Sequence, residues 1–226
     1  MGYEIKLSIE KEPPVTKSVP EPRWIGLMAD SHGNLTATTE AVRILEERGA
    51  ELLIHLGDIG DSVHYQNLQE ILDLLAVHQV LSVKGNNDYL IALALVDHSG
   101  HHRPGCPGIF LNQLPMKRVI GDLCFAHSHP YDHYQAFYDP VNDGTTKKAE
   151  TLFRTMPQRI LFCGHSHSPT LFRMKADHVV REHPQPGKQI HLDKSERYIM
   201  IVGALDDGEC ALYDRSTGVY ERIKIF

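Results

Sequence analysis

The sequence lacks a C-x-x-C pair: its four cysteines, Cys106, Cys124, Cys163 and Cys210, are widely spaced. That removes the usual zinc-knuckle and dithiol arrangements, and three of the four lie in strand-like apolar stretches, so they read as buried thiols. Long apolar runs are missing too. The longest, LIALALV at residues 90 to 96, is far too short to span a membrane, and MGYEIKLSIEKEPPVTKSVPEPR at the start has no apolar signal core. The expectation is a cytoplasmic protein with no membrane partner. Nor is there a dense run of Lys or Arg. The formal net charge is -6, which argues against a nucleic-acid binder and means that any phosphate handled here needs local positive charge.

No internal repeat and no linker divides the chain. With 226 residues and 42% hydrophobic content it can bury one substantial core, expected over residues 23–226. Residues 1–22 carry four prolines among charges and read as an extended or disordered arm. What the chain has in abundance is histidine, fifteen in all, and neutral imidazole is the commonest metal ligand.

From Trp24 the pattern is regular. WIGLMA reads as a buried strand, and Asn34 to Arg48 as a helix with Leu35, Thr38, Val42 and Leu45 on one face and Asn34 as its cap. ELLIHL is a second strand, residues 66 to 78 a second amphipathic helix, and QVLSVKG a third strand. This β-α-β-α-β order implies parallel pairing. HSGHHRPGCPG at 98 to 108 reads as a loop, KRVI and LCFAH as a hairpin around Gly121-Asp122, Thr145 to Thr155 as a helix and RILFC as a strand. The last third reads as several short strands, among them ECALYD and VYERIKIF. The fold class is α/β, two sheets packed face to face with helices outside.

A polar cluster follows each of five strands: Asp30-Ser31-His32, Gly57-Asp58, Gly85-Asn86-Asn87-Asp88, His127-Ser128-His129 and Gly164-His165-Ser166-His167. Residues i and i+2 of an extended segment point to one side, so His165 and His167 aim at one small volume. Taken singly, each cluster is equally an ordinary turn or a pair of solvated loop residues. Carboxyl ends of strands in an α/β sheet share one edge, however, and there the clusters converge. They supply two Asp, one Asn and at least four His, too many for one four-coordinate ion and suited to two. Five histidines outside the clusters, His101, His102, His178, His183 and His191, read as solvated or structural.

The motif order D-x-H, GD, GN-x-D, H and GH-x-H resembles the calcineurin-like metallophosphoesterase superfamily, especially its small single-domain prokaryotic phosphodiesterases, over roughly residues 24 to 205. The resemblance implies a four-layer αββα fold, a two-sheet β-sandwich flanked by α-helices, with a dinuclear site at one rim. It implies Asp30, His32 and His167 on one metal, Asn86, His127 and His165 on the other, and Asp58 bridging. Two divalent ions roughly 3.5 to 4 Å apart can hold a hydroxide between them and neutralise phosphoryl oxygens in an in-line displacement. Manganese, iron or zinc are the expected ions, with cobalt or nickel also compatible with such ligands. The expected partner is a small phosphate ester or nucleotide, and oligomerisation is left open. A non-catalytic metal-binding scaffold of the same fold is the rival reading, although here every ligand position is filled.

Three departures from the family pattern matter. Asn87 stands where many members have a His that assists the leaving group; an amide donates a hydrogen bond but transfers no proton. With Asn87 there, the departing oxygen needs metal, solvent or another residue such as His129, while Asp88 would orient an imidazole placed at residue 87 by hydrogen bonding. Ser128 replaces a glycine of the fourth motif. RYIMIVGALDDGE replaces an Asn-Pro-Gly-Ser-type loop, so no substrate contact is carried over from it.

Overall fold

The structure, a computed structural model, describes residues 21–96 and 105–226. Most of the expected arm at 1–22 and of the loop at 98–108, with His101 and His102, lies outside the described residues. The first sheet contains β1 (Trp24–Met28), β2 (Leu52–His55), β3 (Leu81–Ser82), β9 (Gln189–His191), β11 (Glu209–Asp214) and β12 (Val219–Lys224), ordered β3-β2-β1-β11-β12-β9. The second contains β4 (Lys117–Ile120), β5 (Leu123–Ala126), β6 (Ile160–Cys163), β7 (Thr170–Lys175), β8 (His178–Glu182) and β10 (Arg197–Ile201), ordered β4-β5-β6-β10-β7-β8.

The two-residue side-chain period of the strands builds the layers. Ile25 and Leu27 of β1, Phe125 of β5, Ile160 and Phe162 of β6 and Tyr213 of β11 fill the space between the sheets. The alternate residues face outward. Leu53, Leu212 and Ile223 meet α1 (Leu35–Glu47), α2 (Leu68–Val77), α3 (Asn86–Ala94) and α4 (Pro107–Gln113) on one side. Cys124, Leu161, Cys163 and Ile199 meet α5 (Lys147–Thr155) on the other. Each fully buried Ile, Leu or Phe supplies about 1.5–3 kcal/mol by leaving water. The result is the expected two-sheet, four-layer αββα architecture. Three cysteines are buried thiols, Cys106 is partly exposed and none is disulfide-bonded.

Local signals explain several boundaries. Asn34 caps α1 by accepting the Ala37 N–H at 3.0 Å, as its residue type suggests. Gly121 turns the β4–β5 hairpin, with Ile120 opposite Leu123. Two helices depart from the sequence reading. The third strand shrinks to Leu81–Ser82 because it pairs only with β2, and α3 begins at once at Asn86. Pro107, within the stretch read as loop, instead starts α4, where its missing N–H costs nothing. Strands β1, β2 and β3 are mutually parallel, as are β5, β6 and β10. Their carboxyl ends therefore share one rim. No helix among the described residues is long and apolar enough to cross a membrane.

Candidate metal centre

The backbone at this rim is strained where the candidate ligands sit. Seven described non-glycine residues have positive φ, and five of them are Asp30, His32, Asp58, His165 and His167. Left-handed backbone costs an L-residue roughly 1–2 kcal/mol, so this concentration needs a compensating interaction. Two glycines permit the strands to close on one another. A Cβ on Gly85 would collide with the Asp58 carboxylate, and one on Gly164 with that of Asp30. The glycines before Asn86 and His165 are there for close approach.

Two ligand groups result. Asp30, His32 and His167 form the first, with one ligand atom from each within 4.8 Å of the others. The His32 and His167 Nε2 atoms face each other at 3.1 Å, and Asp30 Oδ1 is 3.8 Å from His167 Nε2. The second ring nitrogen of His167 points at Asp207 Oδ2, 3.6 Å away. Asp58, His127 and His165 form the second group, and Asn86 Oδ1 joins it at 2.9 Å from His127 Nε2. Asp58 lies between the groups, its Oδ2 3.6 Å from His127 Nε2 and 3.9 Å from His32 Nε2.

Hydrogen-bond partners set the tautomers of the second group. His127 Nδ1 is 2.9 Å from the Leu56 carbonyl, which only accepts, so in the neutral ring that a metal requires Nδ1 carries the proton and Nε2 the lone pair. His165 Nε2 meets the Tyr138 carbonyl at 3.3 Å, so its Nδ1 carries the lone pair. These two lone-pair nitrogens face each other at 3.1 Å, beside a carboxylate and an amide oxygen. Such an arrangement is unfavourable without a cation, and backbone carbonyls fixing the far ring nitrogens are typical of histidine metal ligands. Burial lowers the His165 pKa to about 4, keeping the ring neutral for ligation.

The carboxylates point the same way. Asp30 and Asp58 are buried, and their only ion-pair partners among the described residues are imidazoles. Burial, then the nearby Asp58 charge, pushes the Asp30 carboxyl well above the usual carboxylate range despite the His165 N–H at 2.9 Å. Isolated buried charge is costly, and divalent ions offset it. The donor set, mixed oxygen and nitrogen around two foci, fits two divalent ions.

The remaining expected site residues are placed differently from one another. Asn87 is held between the groups and a loop: its Nδ2 donates to Asp58 Oδ2 at 2.7 Å and its Oδ1 accepts the Ser62 N–H at 3.1 Å. Asp88 is fully buried, and its oxygens accept the N–H groups of Asp58, Ile59 and Gly85, each at 2.9 Å. It clamps the Gly57-Asp58 turn to the start of α3. It does not turn toward residue 87. Burial, then the Asp58 charge, raises its pKa to about 7. His129 is directed elsewhere, its Nε2 being 3.5 Å from Asp139 Oδ2 and its ring beside Tyr131. His178, His183 and His191 are exposed on the surface.

One residue escaped the sequence reading. His55, buried at the end of β2, accepts the Gly57 N–H on Nδ1 at 3.2 Å and so donates from Nε2 to Ser31 Oγ at 3.0 Å. Ser31 in turn donates to the Ile59 carbonyl at 2.9 Å, tying the first two motif loops together. Burial lowers the His55 pKa to about 3, so the relay is neutral. The available signal was a histidine inside the otherwise apolar strand ELLIHL.

Comparison with known proteins converges on the same region. The family model for the calcineurin-like phosphoesterase superfamily domain matches residues 24–207. A protein of Methanocaldococcus jannaschii, described only as uncharacterized, is 28% identical over 207 residues, covering 80% of this chain and 75% of its own length. A metallophosphoesterase from Sphaerobacter thermophilus has a similar structure, with a TM-score of 0.68 at 21% identity over 88% of this chain and 87% of that one. A second solved structure, from Thermus thermophilus, gives a TM-score of 0.54 at 13% identity over 91% of this chain and 100% of its own. The structural likenesses establish the fold.

Proposed function

The chain belongs to the calcineurin-like phosphoesterase superfamily, and from that premise we propose that it is a metal-dependent phosphoesterase, hydrolysing small phosphodiesters or phosphomonoesters at a centre of two divalent ions. The observation that carries this reading is the pair of lone-pair nitrogens on His127 and His165, 3.1 Å apart, with Asp58 placed between them and His32. Asp30, His32 and His167 would hold one ion, Asn86, His127 and His165 the other, and Asp58 would reach both. When bound, the ions supply Lewis-acid polarisation of phosphoryl oxygens, a lowered pKa for water and the positive charge that an acidic protein lacks.

The chain's own side chains then have separable tasks. Asn87 donates to Asp58 Oδ2 and fixes the carboxylate orientation. Asp88 is a positioning residue, holding the Asp58 and Asn86 loops in register through backbone amides. His55 and Ser31 hold the Asp30-Ser31-His32 turn against the Gly57-Asp58 turn. No imidazole stands at residue 87, so this position cannot protonate a departing oxygen, and good leaving groups are favoured.

The test is a metal-reconstituted screen. Protein loaded with manganese, iron, zinc, cobalt or nickel is assayed against phosphomonoesters, phosphodiesters and nucleotides, with metal content measured on the same sample. Hydrolysis abolished by chelation and restored by metal is expected. Protein that binds two equivalents of metal yet hydrolyses nothing in the panel would overturn the enzyme reading in favour of a metal-binding scaffold.

A further inference from the structure

Beside the second ligand group lies a run of aromatic side chains that the ligand geometry does not use. Tyr89, one turn of α3 beyond Asn86, stacks on Tyr134 with centroids 4.6 Å apart and ring planes 25° from parallel. Buried Phe137 backs both rings at 5.5 and 6.2 Å and meets Tyr138 edge-on at 4.9 Å. Tyr134 is 58% exposed and Tyr138 44% exposed, so the shelf is open to solvent. It is nevertheless pinned. Ser128 Oγ donates to the Asp139 carbonyl at 2.6 Å, and the His129 N–H to the Ala136 carbonyl at 3.1 Å.

The shelf is also tied to the ligands themselves, since the Tyr138 carbonyl accepts from His165. We propose that Tyr89, Tyr134 and Tyr138 form a subsite for the nucleobase of a nucleoside phosphate whose phosphoryl group sits at the two ligand groups. This rests on the phosphoesterase reading and adds the substrate class. Rings held in place by one another lose little freedom on binding, and every base offers a π-face to them while the tyrosine hydroxyls can meet polar edges.

Calorimetric titration of manganese-loaded protein tests this with two slowly hydrolysed probes, adenosine 5′-thiophosphate and base-free thiophosphate. Wild type should bind the adenosine probe about 5- to 150-fold more tightly, the range that stacking of one base supplies. Tyr134→Ala, at an exposed position where the fold tolerates truncation, should bring the two affinities within about twofold, while Tyr134→Phe should keep the preference. Equal affinities in wild type, or a preference unchanged in Tyr134→Ala, would overturn the subsite and leave the phosphoesterase reading standing. Failure of both probes to bind protein that still hydrolyses phosphodiesters would overturn the subsite alone, and failure to bind together with no hydrolysis in the metal-reconstituted screen would overturn both. A concentration-dependent dimer lost in Tyr134→Ala, with equal probe affinities throughout, would overturn the subsite by assigning the shelf to a second copy of the chain.

Discussion

Strand β1 has a buried aspartate near each end, and the two have opposite surroundings. Asp214, on β11 opposite Trp24, is bonded by Arg23 Nε at 3.2 Å and Nη2 at 2.9 Å, by the Ser216 hydroxyl at 2.7 Å and by the Ser216 N–H at 2.9 Å. Burial alone would raise its pKa, but the bonds from Arg23, Ser216 and Thr217 hold the carboxyl well below the usual range. Asp30 lies about 20 Å farther along at the strand rise. It has no Arg or Lys partner among the described residues, a left-handed backbone and a pKa pushed upward by burial and Asp58. One end of the strand is electrostatically complete within the chain. The other is built to be completed by a cation.

Removing that cation should have the largest effect. Chelation should abolish hydrolysis, and it should also lower Tm, because a ligand at 100 times its Kd stabilises the native state by about 2.7 kcal/mol. For a chain of this size that corresponds to roughly 5–10 °C. Differential scanning of metal-loaded and chelated samples measures it, and identical curves would break the contrast between the two ends.

Next in size is the difference between the two rim carboxylates. Asp58 Oδ2 lies within 3.9 Å of the Nε2 atoms of His127 and His32, one from each group, whereas Asp30 approaches His127 only at Nδ1, the nitrogen turned to the Leu56 carbonyl, and shares its ligand group with His32 and His167. Asp58→Asn should therefore lower kcat/KM by more than about 100-fold, beyond the 10- to 100-fold typical of residues that only support a ligand. Asp30→Asn should lose less. Metal analysis of both variants sharpens the comparison: Asp58→Asn should shed metal from both positions and Asp30→Asn from one. Near-full activity with two ions retained in Asp58→Asn would contradict the bridging assignment.

Much of this contrast was legible in the sequence, for a physical reason. Parallel β/α units put strand carboxyl ends on one edge, so the polar clusters after WIGLMA, ELLIHL, QVLSVKG, LCFAH and RILFC had to gather there. Helix α1 was readable from its period and the Asn34 cap. Helix α3 was not, because its apolar residues do not keep one face: Ile91 and Ala92 are buried while Leu90 and Leu93 are exposed. Residue types also do not declare backbone conformation or the target of a side chain. Asp88, expected to orient an imidazole placed at residue 87, has its oxygens taken up by the amides of Asp58, Ile59 and Gly85. His55 was hidden in a strand pattern, and the left-handed backbone of the five candidate ligands could be found only in three dimensions.

A smaller effect concerns residue 87. General-acid assistance is worth about 10²- to 10⁴-fold, so without it rates should fall steeply as leaving-group pKa rises, most visibly for alkyl against aryl phosphodiesters. Asn87→His introduces a group able to transfer a proton and should flatten that dependence. It also removes the amide bond to Asp58 Oδ2, so activity on aryl esters should drop modestly. His129→Ala should leave the slope unchanged, since its ring partners are Tyr131 and Asp139. A shallow wild-type slope that steepens in His129→Ala would make His129 the acid and refute this assignment.

The smallest effect on catalysis is expected at the other end of β1. Asp214→Asn keeps an acceptor for the Ser216 and Thr217 amides but removes the charge that pairs with Arg23, so turnover per metal-loaded site should be unchanged. Stability should fall by about 1.5–3 kcal/mol at pH 7, the range for hydrogen bonds to a charged group. The sign of the pH dependence follows from the lowered pKa. A carboxylate that ionises more readily in the folded state contributes stability above its unfolded pKa of about 3.9, and loses it as pH falls through the folded value. The difference in Tm between wild type and Asp214→Asn should thus be full near neutrality and shrink below about pH 4. A loss of turnover at full metal occupancy would mean that this end of the strand is coupled to the rim, and that its self-contained network does more than hold the fold.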